Sequence, residues 1–209
     1  MVKEFLLFDD IKYILKKGEN FMARTFNGVS SGVSLTSDFY LKNFYRYNRN
    51  AIKSSARNDY SKTELSYEDT RALKRALAKL SSFDYTEDEN GDNIVSTIQA
   101  FVKTYNYTME STSSTDSDTY RQNRQLKAIT KKYERDLKNI GISINDNGTL
   151  DLSDNILKKS SFKEIRNVFS EESGYVRNVR NIAKRMNATT YDEIYTQLTG
   201  NGGRLNIVL

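Results

Sequence analysis

The sequence predicts a mainly α protein: an elongated helical bundle built on an antiparallel helix hairpin, with one small β-hairpin. Three observations predict it. The 209 residues include no Pro, so the strongest helix breaker is missing along the whole length. Apolar residues return at three- and four-residue intervals through several long runs. Between residues 142 and 152 the interval drops to two, on either side of an Asn-Gly pair.

Taken in order, Phe5 to Leu15 fits a short helix, and Gly18 to Gly32, with Asn27-Gly28 and Ser30-Ser31-Gly32, reads as turns or mobile chain. Phe39, Leu41, Phe44, Tyr45, Tyr47 and Ile52 follow without a breaker, predicting a helix from Thr36 to about Ser55. Ser66 with Asp69 three residues on reads as an N-terminal cap, opening a helix through about Leu80. Its stripe is Leu73, Ala76, Leu77 and Leu80, with Arg71, Lys74, Arg75 and Lys79 outside it. The polar stretch Ser81 to Asn93 is the preferred boundary, dividing an N-terminal helical region (1–92) from a helical domain (93–209).

Ile94, Ile98, Phe101, Tyr105 and Met109 then mark one helix face, and Leu126, Ile129, Tyr133, Leu137 and Ile140 mark another, on a helix from about Asp118 to Asn139. Two such stripes joined by a loop can face each other as a hairpin. Gly141 stands where a left-handed C-cap needs glycine. Ile142 and Ile144, the turn Asn145-Asp146-Asn147-Gly148, then Leu150 and Leu152 make the β-hairpin, the Asn-Gly pair supplying positive φ. Ser153 can cap a short helix through Lys159, and Ser161 with Glu164 forms a capping box before Ile165, Val168 and Phe169. Tyr175 to Met186 gives a further helix, and Thr190 with Glu193 reads as the start of a last short one ended by Gly200.

Composition narrows the chemistry. There is no Cys and no His, so disulfides, thiolate nucleophiles, imidazole bases and Cys- or His-ligated zinc are all excluded. Fourteen Tyr and ten Phe make the chain too aromatic for intrinsic disorder. Net charge is +5, with fifteen basic against fourteen acidic residues in 1–93 and seventeen against thirteen in 94–209, so neither half carries a strong field. No apolar run is long enough to span a membrane, and Phe5-Leu6-Leu7-Phe8, cut off by Asp9 and Asp10, is too short for a cleaved signal peptide.

The order helix, polar loop, helix, then Leu137-Lys138-Asn139-Ile140-Gly141-Ile142, a short turn, Gly148-Thr149-Leu150-Asp151-Leu152, and a helix with Leu157, resembles the C-terminal helical region of the flagellar filament-capping protein, hook-associated protein two. Ile165, Val168 and Phe169, with Gly174 after them, fit the valine and leucine-phenylalanine positions of the family's next helix. The match runs from Ile94 to Met186. Family members carry large β-rich inserts that residues 1–93 lack, and Ser160-Ser161 stands where a Pro is common, which fits a shortened relative. The resemblance implies a non-enzymatic structural protein of a bacterial flagellum-like filament, with no cofactor, oligomeric, and exported without cleavage. Its implied partners are copies of itself or axial proteins, with an export chaperone among them.

On that reading the docking segments are the chain ends: Phe5, Leu6, Leu7 and Phe8 at one, and Leu205, Ile207, Val208 and Leu209 at the other, neither long enough to bury itself. The alternative is a cytoplasmic helical adaptor or nucleic-acid-binding protein using basic faces, Lys127, Lys131, Arg135 and Lys138 on one helix and Arg177, Arg180 and Lys184 on another. A solvated face accounts for both stripes as well, and nucleic acid is the weaker expectation. Arg and Tyr interleaved in Phe44-Tyr45-Arg46-Tyr47-Asn48-Arg49 could stack single-stranded bases, although core or interface is favoured. Ser143, Asn145, Asn147, Gly148, Asp151 and Asp154 approximate a calcium loop, as do the first positions at Thr86, Asp88, Asn90 and Gly91; the hairpin reading is preferred for the former, and the latter lacks a suitable twelfth residue. The carboxylates of Glu171 and Glu172, and of Asp192 and Glu193, read as helix-start charges rather than a catalytic pair.

Overall fold

A computed structural model of the chain describes residues 34–86, 91–114 and 118–199. Within these, helix α1 (Ser37–Phe44) opens on Thr36, whose hydroxyl accepts from the Phe39 amide at 3.3 Å. The helix expected to continue to Ser55 stops at Tyr45. It is replaced by a 3-10 turn (Arg49–Ile52) and a single helical turn, α2 (Ser54–Arg57). No local breaker forces this. The turn carries both Tyr45 and Arg57 to the same buried carboxylate, so tertiary bonding overrides helical periodicity.

Helix α3 (Lys62–Ser81) begins four residues before the expected cap. Its capping box is Ser61 with Glu64: the Glu64 amide donates to Ser61 Oγ (3.2 Å) and the Ser61 amide to Glu64 Oε2 (2.8 Å). Ser66 and Asp69, expected at the helix start, are buried in its interior. Helix α4 (Gly91–Ser111) carries the predicted stripe, with Ile94, Ile98, Phe101, Tyr105 and Met109 all buried. The helix expected from Asp118 to Asn139 is divided into α5 (Tyr120–Lys132) and α6 (Glu134–Asn139) at Tyr133, whose amide reaches back only three residues, to the Thr130 carbonyl.

Strands β1 (Ile142–Ile144) and β2 (Leu150–Leu152) pair antiparallel as the expected hairpin, with Ile142 opposite Leu152 and Ile144 opposite Leu150. Of the two turn residues expected at positive φ, only Gly148 takes it (+89°). Asn147 contributes through its side chain instead, accepting from the Thr149 amide at 2.9 Å, because five residues join the strands rather than the two of a tight Asn-Gly turn. After α7 (Asp154–Leu157), the Ser161–Glu164 capping box starts α8 (Phe162–Phe169) as expected. Ser153 stands at the N-cap of α7 without a side-chain capping bond.

The last two predicted helices are one, α9 (Gly174–Thr199). Thr190, expected to cap a new helix, is fully buried and returns its hydroxyl to the Met186 carbonyl at 3.0 Å. With no Gly or Pro between 175 and 199, nothing stops the helix. Glu193 and Asp192 are therefore mid-helix groups, not helix-start charges.

Helix α3 lies along both α4 and α9, α1 covers α4, α5 rests on α9, and β2 sits on α4. Leu73, Leu77, Leu80, Ile98, Phe101, Phe169, Val176 and Val179 fill the shared core, each apolar side chain contributing about 1.5–3 kcal/mol on burial. Phe101 meets Phe169 edge to face at 5.3 Å between ring centres, fastening α8 to α4. Helices α4 and α5 are joined by side-chain bonds: Tyr105 OH to Thr130 Oγ1 (2.9 Å), and Asn123 Nδ2 to the Met109 carbonyl (3.0 Å) and Thr112 Oγ1 (2.7 Å). The polar stretch after Ser81 thus links α3 to a helix that it packs along. No described helix is long and apolar enough to cross a membrane.

Candidate functional site

The β-hairpin segment is built on two glycines and one asparagine. Gly141 has φ +83°, and a Cβ there would lie 2.9 Å from both Ile156 Cβ and the Ser153 carbonyl oxygen. The chain can close back on itself here only without a side chain. That closure seats Leu157 in the core, 1% exposed, while Ser153 donates to the Gly141 carbonyl at 2.8 Å.

Asn106 on α4 then holds the hairpin by both edges of one residue, its Nδ2 donating to the Leu150 carbonyl (2.8 Å) and its Oδ1 accepting from the Leu150 amide (2.7 Å). Asn106→Ala leaves both backbone groups unmatched and is expected to cost about 1–3 kcal/mol. Urea unfolding measures the loss, and hydrogen exchange should show it concentrated at the Leu150 amide. Uniform exchange across the fold would contradict the clasp.

A second constellation lies where α1, the 3-10 turn, α3 and α4 meet. Asp69, fully buried, accepts from Tyr45 OH (2.6 Å) and from both terminal nitrogens of Arg57 (3.0 and 2.9 Å). Arg57 also donates to the Ala51 carbonyl (2.8 Å) and lies 4.1 Å over the Tyr107 ring. Burial, reinforced by the neighbouring Asp69 charge and hydrogen bond, pushes the Tyr45 phenol well above its usual range. For Arg57, burial alone would lower the pKa; the bond to Asp69 and its charge outweigh it, and the net shift is upward. This is a structural lock, since both partners are spent on each other.

On the surface beside it, the Arg-Tyr segment divides by facing. Phe44 and Tyr45 point into the core, while Tyr47 is 48% exposed. The guanidinium carbons of Arg46, Arg71 and Arg75 lie 4.8, 4.6 and 5.0 Å from its ring centre. Arg71, Lys74 and Arg75, expected outside the apolar stripe, are half-buried. Burial, then repulsion from Arg71 and Arg46, lowers the Arg75 pKa to about 10, which still leaves it charged at neutral pH. Lys74 is lowered by burial and by Arg71, Arg75 and Lys184. Glu68, raised chiefly by burial, reaches Arg71 at 3.4 Å through Oε1, while its buried Oε2 has no hydrogen-bond partner.

The other predicted features fall apart from this cluster. Lys131 pairs with Glu134 at 2.7 Å and Lys127 donates to the Asp146 carbonyl, so that stripe is partly spent on its own neighbours. Arg180 donates to Ser81 Oγ at 2.6 Å, joining α9 to the end of α3. Asp154 accepts from Gln99 at 2.8 Å, and Asn145 and Asn147 serve Thr149 within the hairpin. Glu172 reaches Arg166 at 3.6 Å, and Glu193 accepts from the Asp118 amide at 3.2 Å. Phe5, Leu6, Leu7, Phe8, Leu205, Ile207, Val208 and Leu209 lie outside the described residues, as do Asp88 and Asn90. Set against family models, curated proteins and solved structures, the chain finds no match.

Proposed function

We propose that the chain is a structural assembly protein of a bacterial flagellum-like filament, built on a helical domain of the filament-cap type and acting by self-association or by docking on axial subunits. The observation that supports this reading is the hairpin unit. Of the residues that carry the resemblance, Gly141 and Gly148 take positive φ, which favours glycine, and Leu150 and Leu157 are buried. The segment on which the reading rests is a folded unit clasped on α4 by Asn106.

In this reading the apolar chain ends, Phe5 to Phe8 and Leu205 to Leu209, are the docking segments. Light scattering and sedimentation of the full chain should give a mass above that of one subunit. Deleting Leu205 to Leu209 should return it to the monomer with its helical circular dichroism intact. A full-length chain that stays monomeric at high concentration, alone and with depolymerised filament subunits, would remove the reading. A coding position among flagellar or export-apparatus genes would support it.

A further inference from the structure

We infer that Asn147 and Gly148 form a modification site, an asparagine-glycine pair open to spontaneous deamidation, which the folded hairpin holds closed and which opens when the hairpin lifts from α4. The site stands independently of the assembly reading. Asn-Gly occurs at residues 27, 90, 147 and 201, and Asn147 is the asparagine among them that lies within the described residues. It is exposed at the tip of the hairpin, and the glycine after it has no Cβ to hinder attack by its own nitrogen. In the reaction the Gly148 nitrogen loses its proton and bonds to the Asn147 side-chain carbonyl carbon. The carboxamide carbon–nitrogen bond breaks and ammonia leaves, giving a five-membered succinimide. Water then opens the ring at one carbonyl or the other, to aspartate or to isoaspartate.

Both reacting groups are engaged in the folded turn. The Gly148 amide donates to the Asn145 carbonyl at 2.8 Å, the bond that closes the turn 145–148, and Gly148 is itself buried at φ +89°. Its proton is out of reach of hydroxide until that bond breaks. Asn147 Oδ1 accepts from the Thr149 amide at 2.9 Å and from the Thr149 hydroxyl at 2.6 Å, which ties the carboxamide to the residue beyond Gly148. That hydroxyl accepts in turn from Asn145 Nδ2 at 3.0 Å, and the Asn145 amide donates to the Thr149 carbonyl at 2.9 Å. Ring closure requires the carboxamide and the Gly148 amide to be released together.

The turn is in turn held by its surroundings. Asn106 grips the amide and the carbonyl of Leu150, one residue beyond Thr149, and Lys127 on α5 donates to the Asp146 carbonyl. Opening the turn therefore works against the contacts that seat the hairpin on α4 and α5. The two products differ in what they do to it. Aspartate keeps acceptor oxygens for Thr149. Isoaspartate adds one carbon to the main chain between residues 147 and 148, which displaces Gly148 from Asn145 and breaks the pairing of Asn145 with Thr149. Product at this pair is thus a covalent record of hairpin opening.

The test ages the full chain at one mildly alkaline pH, in buffer and in denaturing urea, and follows residue 147 by peptide mapping and mass spectrometry. The ratio of the two rates cancels the intrinsic reactivity of the pair. Asn147 should convert in urea, and in buffer at least about tenfold more slowly, since reaction there waits on local opening. Asn106→Ala, which frees Leu150, should raise the buffer rate about tenfold and leave the urea rate unchanged. Thr149→Val, which removes the hydroxyl and leaves the Asn106 clasp in place, should raise the buffer rate in the same way, and it carries the test if Asn106→Ala loses its helical circular dichroism. Equal rates in buffer and urea would overturn the inference, as would variants that keep their fold and deamidate no faster than the parent.

Discussion

Asp69→Ala should destabilise the fold by about 3–5 kcal/mol, enough to unfold much of the population of a small domain. The carboxylate is completely buried and carries three hydrogen bonds, one from Tyr45 OH and two from Arg57. Removing it leaves Arg57, 7% exposed, with the Ala51 carbonyl as its remaining short hydrogen-bond acceptor and Glu110 at 3.9 Å, on a side chain that is 72% exposed. That carboxylate is too solvated to replace Asp69. The loss comes from stranding a charge rather than from the net strength of the pair. Arg57→Met combined with Asp69→Leu should therefore recover part of it, since a buried pair replaced by apolar groups of similar volume is often neutral, while the Tyr45 hydroxyl still loses its acceptor. Urea melts of the two single variants and the double variant measure the coupling. A loss under about 1 kcal/mol for Asp69→Ala would mean that water reaches the site and that the lock is not one.

That lock also marks where local pattern stops predicting this fold. Ser61-x-x-Glu64 and Ser66-x-x-Asp69 both satisfy the capping pattern, and only the partner waiting for Asp69 decides between them. Arg57 is twelve residues from Asp69, a separation that no periodicity encodes. The same blindness split the predicted Thr36–Ser55 helix, because a turn after Phe44 is what brings Tyr45 and Arg57 together. Thr190-x-x-Glu193 misled in the opposite direction: the letters of a cap lie within an unbroken run, and a threonine hydroxyl is equally content bonding back to Met186.

The hairpin was legible because its signals are local. A change of period, an Asn-Gly pair and a glycine after an apolar stripe all act within a few residues. The Tyr47 cluster was half legible. Arg46 and Tyr47 are neighbours in the chain, but Arg71 and Arg75 look like any polar helix face until the turn after α1 is laid across them.

Gly141→Ala tests the hairpin unit at its tightest point and should cost about 2–4 kcal/mol. A left-handed backbone costs a non-glycine residue roughly 1–2 kcal/mol, and the added methyl meets Ile156 Cβ and the Ser153 carbonyl at 2.9 Å and the Leu157 amide at 3.1 Å. Two of those three atoms are backbone, and Ile156 Cβ is fixed directly to it. None can swing aside without moving α7 and lifting Leu157 from the core. Gly148→Ala is the matched control, with φ +89° but with flexible neighbours, Lys127 Cδ and Cγ and Met109 Cε at 2.9 to 3.1 Å. Their side chains can yield, so the control should lose about 1–2 kcal/mol, little beyond the backbone term. Measured by urea unfolding, Gly141→Ala should be the more damaging of the two, and hydrogen exchange should show its loss centred on Ser153 and Leu157. Equal losses at the two glycines would mean that φ alone sets the cost, and that the closure of the chain onto α7 is looser than its distances imply.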